Sequence, residues 1–476
     1  MKKPLKLLIA LLALGVIVAG YLLVNHLVND TEPADTGDRQ LAKYLTFDGD
    51  IVSIDYTFDG VRVALTRSED GSWHKSDDDT FPVSADAADA LAAALKSVTV
   101  LREIDPADAD TALFGLDEAP LSVTATAEDG TTLSYAIGIA NTALGGYYAR
   151  YNQDATIYLI DDAMPPEFMG GLYHIATLDS YPQISSVNVT QVKLEAGDRS
   201  RVLNYLEGGS ADCYTPAYEW FDQTTGEPLR STGVTVLAGR ITGLEIGDCV
   251  NHAPKLEALE AYGLVTPEMT CRLQYKLYGT DEDAEPTIED FTLSIGHATD
   301  DGVYVTWSGT SMIFLADAAA IDAIRAGFEE DLAVRDVCAI ALDDITAVEL
   351  TTDNRTVRIE RTVKSVETTN DSGETTTTET AVYTIDGLMT DGSSFESMMK
   401  TITGLQVEAT AEHTWDTPPL LTVRFLRDRD AFGDMTLAFY EYDVNFCRAE
   451  FNGRTDMLVS IRTVQSLVEQ AAALGQ

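Results

Sequence analysis

Hydrophobic and polar residues alternate in short stretches that recur at three places along the chain. The segments YYARYNQDATIYLID (147–161), VYVTWSGTSMIFLAD (303–317) and CRAEFNGRTDMLVSI (447–461) align without a gap, and each has a polar turn near its middle. Alternation with a period of two is typical of strands that bury one face, and Asn452–Gly453 is a strong signal for a two-residue hairpin turn. Each segment is therefore predicted to form a β-hairpin.

Two further elements precede each of these hairpins in the same order. The first is another alternating hairpin, at 51–67, 187–206 and 345–361. The second is a stretch with helical spacing, at 84–98, 227–243 and 393–404. A repeat of this length is too long for a solenoid unit. We predict an α+β fold of three related modules, mainly antiparallel strands with one or two helices each, over 47–185, 186–343 and 344–476.

Two of the modules share a motif of an aromatic residue, a glycine and a leucine, at ALFGL (112–116) and EAYGL (260–264). We expect a short helix that begins at Asp105–Pro106 and ends at Phe114, with the following glycine in the left-handed conformation. The motif is thus interpreted as a helix stop and not as a phosphate-binding loop.

The N-terminus carries an uncharged apolar run from Leu7 to Val24, with Lys2, Lys3 and Lys6 before it. At roughly 1.5 Å per residue the run spans about 27 Å, close to the thickness of a bilayer core. Because basic residues stay on the cytoplasmic side, the rest of the chain is expected outside the plasma membrane. We predict a single-pass anchor over 1–28, with a short cytoplasmic N-terminus, and an acidic tether over 29–46. Cleavage of the run as a signal peptide stays open, although it is long for one and lacks a clean cleavage site.

A threonine-rich segment interrupts the third module. TVKSVETTNDSGETTTTET (362–380) is polar and almost free of apolar residues. Such composition is typical of surface loops, so we predict a mobile loop here.

Charge and motif content exclude several classes of function. The chain has 77 acidic residues against 32 basic ones, a formal net charge of −45. Nucleic-acid binding is therefore not expected, because the basic surface that it requires is missing. Motifs for a nucleophile elbow, a P-loop, a zinc protease or an EF-hand are missing, so no catalytic residue, cofactor or metal ligand is predicted. The sequence does not decide whether the acidic clusters bind calcium, nor whether any of the five cysteines form disulfides.

The three aligned hairpins also indicate which aromatic residues could contact a partner. Positions 147, 149 and 151 are apolar in all three copies, so they are predicted to face the core. Tyr148 and Arg150 point to the other face, and Tyr304 is the counterpart of Tyr148. These three residues are the candidate contact surface.

The chain resembles a bacterial family in the order of its features between Trp73 and Asp161, behind one N-terminal anchor. These features are a tryptophan, a helix, GL, a proline, YAIG, YYAR and IYLID. The family is that of domain of unknown function 4340, and the resemblance is best over 47–190. The resemblance implies an envelope protein with an extracytoplasmic α+β region and an accessory role beside ABC-transporter components. It implies no catalytic residues.

Topology, repetition and the lack of catalytic motifs predict a non-enzymatic, membrane-anchored extracytoplasmic protein. We expect it to be an accessory or scaffold component of an envelope complex such as an ABC-type transporter. Two alternatives stay open: a ligand-capture module for a sugar or peptide, and a hydrolase of cell-wall polymers that uses a carboxylate pair. Partner identity and oligomeric state are not predicted.

Overall fold

The computed structural model describes residues 43–105, 110–281, 284–353, 355–369, 375–385, 387–412 and 417–474. The predicted anchor over 1–28, with Lys2, Lys3 and Lys6, lies outside these residues, as does most of the tether over 29–46. Within the described ranges no helix is long and apolar enough to cross a membrane. The anchor and the location of the chain therefore stay predictions.

Three antiparallel sheets, each of nine strands among the described residues, make up most of the fold. In spatial order the first sheet contains β1 (Lys43–Thr46), β5 (Ser97–Ile104), β9 (Ile157–Ile160), β8 (Gly146–Tyr151), β7 (Thr132–Asn141), β6 (Leu121–Ala127), β2 (Ile51–Phe58), β3 (Val61–Arg67) and β4 (Trp73–Lys75). The second contains β13 (Pro228–Leu229), β12 (Trp220–Asp222), β11 (Arg199–Tyr205), β10 (Val189–Ala196), β15 (Met269–Leu277), β16 (Thr287–Thr299), β17 (Gly302–Trp307), β18 (Ile313–Ala316) and β14 (Ile246–Asn251). The third contains β22 (Leu388–Thr390), β21 (Thr375–Ile385), β20 (Arg355–Thr369), β19 (Ile345–Thr352), β24 (Leu421–Arg427), β25 (Asp434–Glu441), β26 (Phe446–Phe451), β27 (Arg454–Ser460) and β23 (Ala409–Thr410).

Few helices accompany the sheets, and the predicted α+β class is confirmed. The described α-helices are α1 (Ala85–Lys96), α2 (Pro165–Phe168), α3 (Ser231–Thr242), α4 (Leu256–Ala261), α5 (Ala318–Arg325), α6 (Ser393–Thr403) and α7 (Ile461–Ala473). The three predicted helical stretches are confirmed as α1, α3 and α6. The Ser84 hydroxyl caps α1 by accepting a hydrogen bond from the Ala87 N–H at 3.3 Å, which supplies one of the partners that a helix start lacks.

The three sheets share one order of eight strands. In spatial order these eight strands are β4-β3-β2-β6-β7-β8-β9-β5 in the first sheet, β12-β11-β10-β15-β16-β17-β18-β14 in the second and β21-β20-β19-β24-β25-β26-β27-β23 in the third. The ninth strand differs: β1 extends the first sheet beyond β5, whereas β13 and β22 extend the others at the opposite edge. All six predicted hairpins are paired as expected. The exact residue boundaries predicted for the modules stay predictions.

Helices pack on one face of the sheets and form the cores there. In the first sheet Leu91 and Leu95 of α1 belong to one buried cluster with Ile54 and Val123. The third sheet buries Phe395 and Met398 of α6, together with Val464 and Leu467 of α7, against Val348 and Phe425. Alternate residues of β6 and β24 are buried, as expected for strands with one covered face.

The aromatic–glycine–leucine motif is confirmed as a helix stop. Gly115 and Gly263 have φ of 67° and 70°. The Leu116 N–H donates to the Thr111 carbonyl at 3.1 Å, and the Leu264 N–H donates to the Leu259 carbonyl at 2.8 Å, as in the Schellman arrangement. The first helix differs from the prediction in type: its described part is a 3₁₀ turn over Thr111–Phe114, capped by the Asp110 side chain. Of the predicted start, Pro106 lies outside the described ranges, and Asp105 is the last described residue before them.

Each helix stop rests on a bulge in its own sheet. The pairing register shifts between Ile137 and Ala140 of β7 and at the corresponding place in β16. A Cβ atom on Gly138 would lie 2.0 Å from the Phe114 carbonyl oxygen, and one on Gly296 would lie 2.1 Å from that of Tyr262. Only glycine allows this close approach of the helix end to the strand.

The prediction of a mobile loop over 362–380 was wrong for most of that segment. Residues 362–369 continue β20 and residues 375–380 begin β21, and the two strands pair in register from Thr369 and Thr375 inward. Threonine is β-branched and forms favourable cross-strand pairs, so a polar, threonine-rich composition suits an exposed hairpin as well as a loop.

The chain divides into two compact units, one up to Thr177 and the other from Leu178. The second unit holds the second and third sheets. The segment that joins these sheets is hydrogen-bonded to both, because Ala333 forms a bridge with Leu229 while Asp336 forms one with Gln406. This pairing connects the two sheets within the second unit.

Candidate functional site

Tyr148 and Arg150, two of the predicted contact residues, lie on the same face of β8 and are half-buried. The Tyr148 ring meets the Phe114 ring edge-on, with centroids 4.6 Å apart, and its hydroxyl accepts a hydrogen bond from Asn141 Nδ2 at 2.7 Å. Arg150 Nε donates to the Asp154 carbonyl at 3.2 Å. Both side chains are thus engaged within their own unit, and their role as a contact surface stays a prediction.

Tyr304 occupies the equivalent position on β17 in the second unit and is also half-buried. Its ring lies 4.5 Å from that of Tyr262, centroid to centroid. Phe114 and Tyr262 are the aromatic residues of the repeated helix-stop motif. The motif therefore includes an aromatic residue because that ring packs on a tyrosine of the neighbouring hairpin.

A recess of about 580 Å³ lies between the second and third sheets, within the second unit. We call it the inter-sheet pocket and define it by six of its lining residues: Tyr214, Tyr218, Phe221, Asp336, Phe451 and Met457. Its volume lies in the range of sites that bind small ligands, about 300–1,000 Å³. Cys213, Glu227 and Asp212 lie at its edge.

One wall of the pocket comes from an insertion over 206–219, between β11 and β12. The matching connection of the first sheet, between β3 and β4, is only the turn over 68–72. Gly208 and Gly209, with φ of 74° and 81°, turn the chain out of the strand. The insertion then brings Tyr214 against the third sheet, where its ring meets Phe451 edge-on at 5.0 Å between centroids.

Two arginines, one at the end of β24 and one just after it, hold the insertion in place. The Tyr214 carbonyl accepts hydrogen bonds from Arg427 Nη1 at 2.8 Å and from Arg429 Nη1 at 3.3 Å. The Arg427 side chain is fully buried and also forms an ion pair with Asp344 at 3.0 Å. The Tyr214 hydroxyl accepts from the Ala339 N–H at 3.1 Å. Buried charges need such partners, so the arginine fixes the wall of the pocket.

Two of the lining residues, Tyr218 and Asp336, belong to a hydrogen-bonded chain of polar side chains that continues to Gln406. The Tyr218 hydroxyl donates to Asp336 Oδ2 at 3.0 Å, and Gln406 Nε2 donates to Asp336 Oδ1 at 2.6 Å. Burial, with Tyr214 and Asp336 nearby, raises the pKa of Tyr218 far above its ordinary value. Burial also raises the pKa of Tyr214 to about 12. Both phenols are therefore neutral at physiological pH, so they act as hydrogen-bonding groups and not as bases.

The pocket is negatively charged. Arg454 at its edge is paired with Asp456 at 3.0 Å, so its charge is compensated. Within the described ranges, no lysine or arginine forms an ion pair with Asp212, Glu227 or Asp336. Aromatic rings and uncompensated carboxylates together favour a ligand that carries positive charge on an apolar stem.

Among the described residues that line the pocket there is no histidine. Among the residues that the structure describes, no three His, Cys, Asp or Glu side chains are grouped as a metal site. Four of the five cysteines are buried, and Cys213 is half-buried. The aromatic rings and hydrogen-bonding side chains of the pocket can bind and orient a ligand.

Sequence reasoning missed this pocket. The aromatic-rich CYTPAYEWF (213–221) contains three of its six defining residues, and the segment stands where the other modules have no counterpart. That signal, an aromatic insertion in one of three copies, could have drawn attention to it. The opposite wall, which includes Phe451 and Met457, could not have been assigned from the sequence.

Comparisons with known proteins give one family and no characterised relative. The family model described as Domain of unknown function (DUF4340) matches residues 73–213 and 220–422. No curated protein and no solved structure matches the chain.

Proposed function

This chain belongs to the family described as Domain of unknown function (DUF4340), and from that premise we propose that it is a non-enzymatic binding protein of the cell envelope. In this proposal three copies of one α+β module follow a single N-terminal membrane helix and lie outside the plasma membrane. The protein acts as an accessory or scaffold component of an envelope complex such as an ABC-type transporter.

The inter-sheet pocket is the observation that carries this proposal. It is formed by an insertion that the first sheet lacks, and it is fixed by a buried arginine that joins the two sheets. An aromatic recess is the kind of surface on which a few residues supply most of the binding energy. The neutral phenols of Tyr214 and Tyr218 favour binding over acid–base chemistry.

The proposal is tested by photo-crosslinking of the full-length protein in its native membranes. A photo-crosslinking phenylalanine analogue replaces Glu227 at the edge of the pocket, and a matched variant carries it at Asp248, an exposed position on β14 at the far edge of the same sheet. We expect a discrete crosslinked protein with the first variant and not with the second. The same protein is expected to co-purify with the unmodified chain after solubilisation.

Absence of a crosslinked protein at both positions, together with co-purification no better than background, would contradict the proposal. Turnover of cell-wall polymer by the purified chain, lost in an Asp336→Asn variant, would favour the hydrolase instead.

A second function, capture of a free sugar or peptide, is favoured by the size of the pocket and by its four rings. Sugars and peptides both stack on such rings. This function predicts that an envelope sugar or peptide raises the melting temperature of the full chain in a concentration-dependent way. A Tyr218→Ala variant is then expected to lose that stabilisation.

A further inference from the structure

We propose, on the premise of the binding function above, that the inter-sheet pocket receives the side chain of an arginine from a partner polypeptide. The class of ligand is thus a guanidinium group on an apolar stem. The proposal depends on the Asp336 carboxylate that lines the pocket, on the rings around it and on the absence, among the described lining residues, of a lysine or an unpaired arginine.

Asp336 is positioned to accept further hydrogen bonds. The Tyr218 hydroxyl donates to the Oδ2 atom of Asp336 at 3.0 Å, and the Gln406 amide donates to the Oδ1 atom of Asp336 at 2.6 Å. Each oxygen therefore has one of its lone pairs occupied. A carboxylate offers about four acceptor positions, so one on each oxygen remains. Two parallel acceptors suit the planar fork of a guanidinium better than the single point charge of a lysine.

The rings of the pocket suit the rest of an arginine side chain. Tyr218, Phe221 and Phe451 are buried and line the recess. A guanidinium gains from stacking on such rings, and its three methylene groups bury apolar area against them. The protein itself uses this contact elsewhere, since the Arg448 guanidinium lies 4.2 Å from the centroid of the Tyr440 ring.

The described residues that line the pocket do not supply this cation. Arg454, the arginine that lines the pocket, is already paired with Asp456. The buried Arg427 is directed to Asp344 and to the Tyr214 carbonyl. The carboxylates at Asp212, Glu227 and Asp336 are therefore left for a ligand from outside.

The test uses the full-length protein in lipid nanodiscs, with methionine methyl groups labelled for NMR. Met457 lines the pocket, and a Met457→Leu variant assigns its signal by removing it. The probes are N-acetyl-arginine amide, N-acetyl-lysine amide and N-acetyl-citrulline amide, the last being a neutral analogue of nearly the same shape. A local signal is needed, because a chain of net charge −45 attracts cations over its whole surface.

We expect the arginine probe to shift the Met457 signal in a saturable way, with the citrulline probe binding about tenfold more weakly and the lysine probe in between. Asp336→Asn keeps an acceptor for Tyr218 but removes the charge, and it is expected to weaken the arginine probe about tenfold. The matched Asp248→Asn variant is expected to leave binding unchanged.

Equal binding of arginine and citrulline, or unchanged binding in Asp336→Asn, would overturn the proposal for a guanidinium while leaving a binding function for the pocket intact. If no probe shifts Met457 while a partner still crosslinks at Glu227, the guanidinium is likewise overturned and the proposed function stands. If neither a probe nor a partner binds, both proposals fail.

Discussion

The sharpest prediction concerns Arg427, the buried arginine that holds the insertion over 206–219 against the third sheet. We consider the substitution Arg427→Met, which keeps an unbranched apolar stem and removes the guanidinium. The insertion is then expected to open more often, while the sheets keep their pairing.

The size of the effect follows from the contacts that are lost. A hydrogen bond from a charged donor is worth about 1.5–3 kcal/mol, and Arg427 Nη1 gives one to the Tyr214 carbonyl at 2.8 Å. Arg429 donates to the same carbonyl at 3.3 Å and partly replaces it, which favours the lower end. The Asp344 side chain is 34% exposed, so water can hydrate it once Arg427 is removed. The loss of this ion pair therefore adds little to the free energy of opening. We expect about 1.5 kcal/mol, or about a tenfold increase in opening.

Hydrogen exchange followed by mass spectrometry measures this opening directly. The Gly209 N–H donates to the Leu206 carbonyl at 2.9 Å, and the Cys213 N–H donates to the Ser210 carbonyl at 3.0 Å. These amides lie in peptides that cover the insertion, and their exchange reports local opening. We expect about tenfold faster exchange there in Arg427→Met.

Arg429→Met is the matched control, because Arg429 is exposed and its hydrogen bond is longer. We expect its effect on exchange to be much smaller. The reasoning is refuted if Arg427→Met leaves exchange in the insertion unchanged, or if exchange rises equally throughout the second unit, since the latter would mean global destabilisation.

Three other predictions follow from local features. Gly138→Ala is expected to destabilise the first unit by about 1–3 kcal/mol in urea unfolding, because the new Cβ atom would clash with the Phe114 carbonyl oxygen. Gly171→Ala is the control, and it is expected to leave the free energy of unfolding unchanged because the space around Gly171 is open. Hydrogen bonds from Arg358 and Arg424 lower the pKa of Glu349 in the folded protein, so the ionised Glu349 stabilises the fold above about pH 4.5 and this stability is lost as the pH falls further. In Glu349→Gln the free energy of unfolding is expected to fall less steeply with decreasing pH, and an unchanged dependence on pH would contradict the assignment. Burial raises the pKa of Cys338 to about 12, so iodoacetamide at pH 8 is expected to modify Cys213 first in peptide maps of the native protein; equal modification of both would refute this.

Much of the fold could be predicted because its signals are local. Alternation in the hairpins predicted strands, and the φ of Gly115 and Gly263 agrees with the predicted helix stops. The threonine-rich segment was wrongly predicted as a loop, since polar composition alone does not distinguish a loop from a solvent-exposed hairpin. There the intrinsic preference of threonine for strands outweighed its polarity.

The candidate site was beyond such reasoning. Tyr148 and Tyr304 were selected because they point away from the core, but each packs on an aromatic residue of its own unit. The pocket depends instead on contacts such as that of Tyr214 with Arg427, which are separated by 213 residues. Nothing in the neighbourhood of either residue along the chain indicates the other.

The amino-acid sequence by itself determined the α+β class, the paired hairpins, the helical stretches and the helix stops, because each is set by periodicity and turn chemistry within a few residues. Only the tertiary structure decided that the second and third sheets form one unit, that the insertion over 206–219 forms part of a pocket and that Asp336 lines this pocket. These features are set by packing between distant segments, where shape and burial act and no local pattern records the partner.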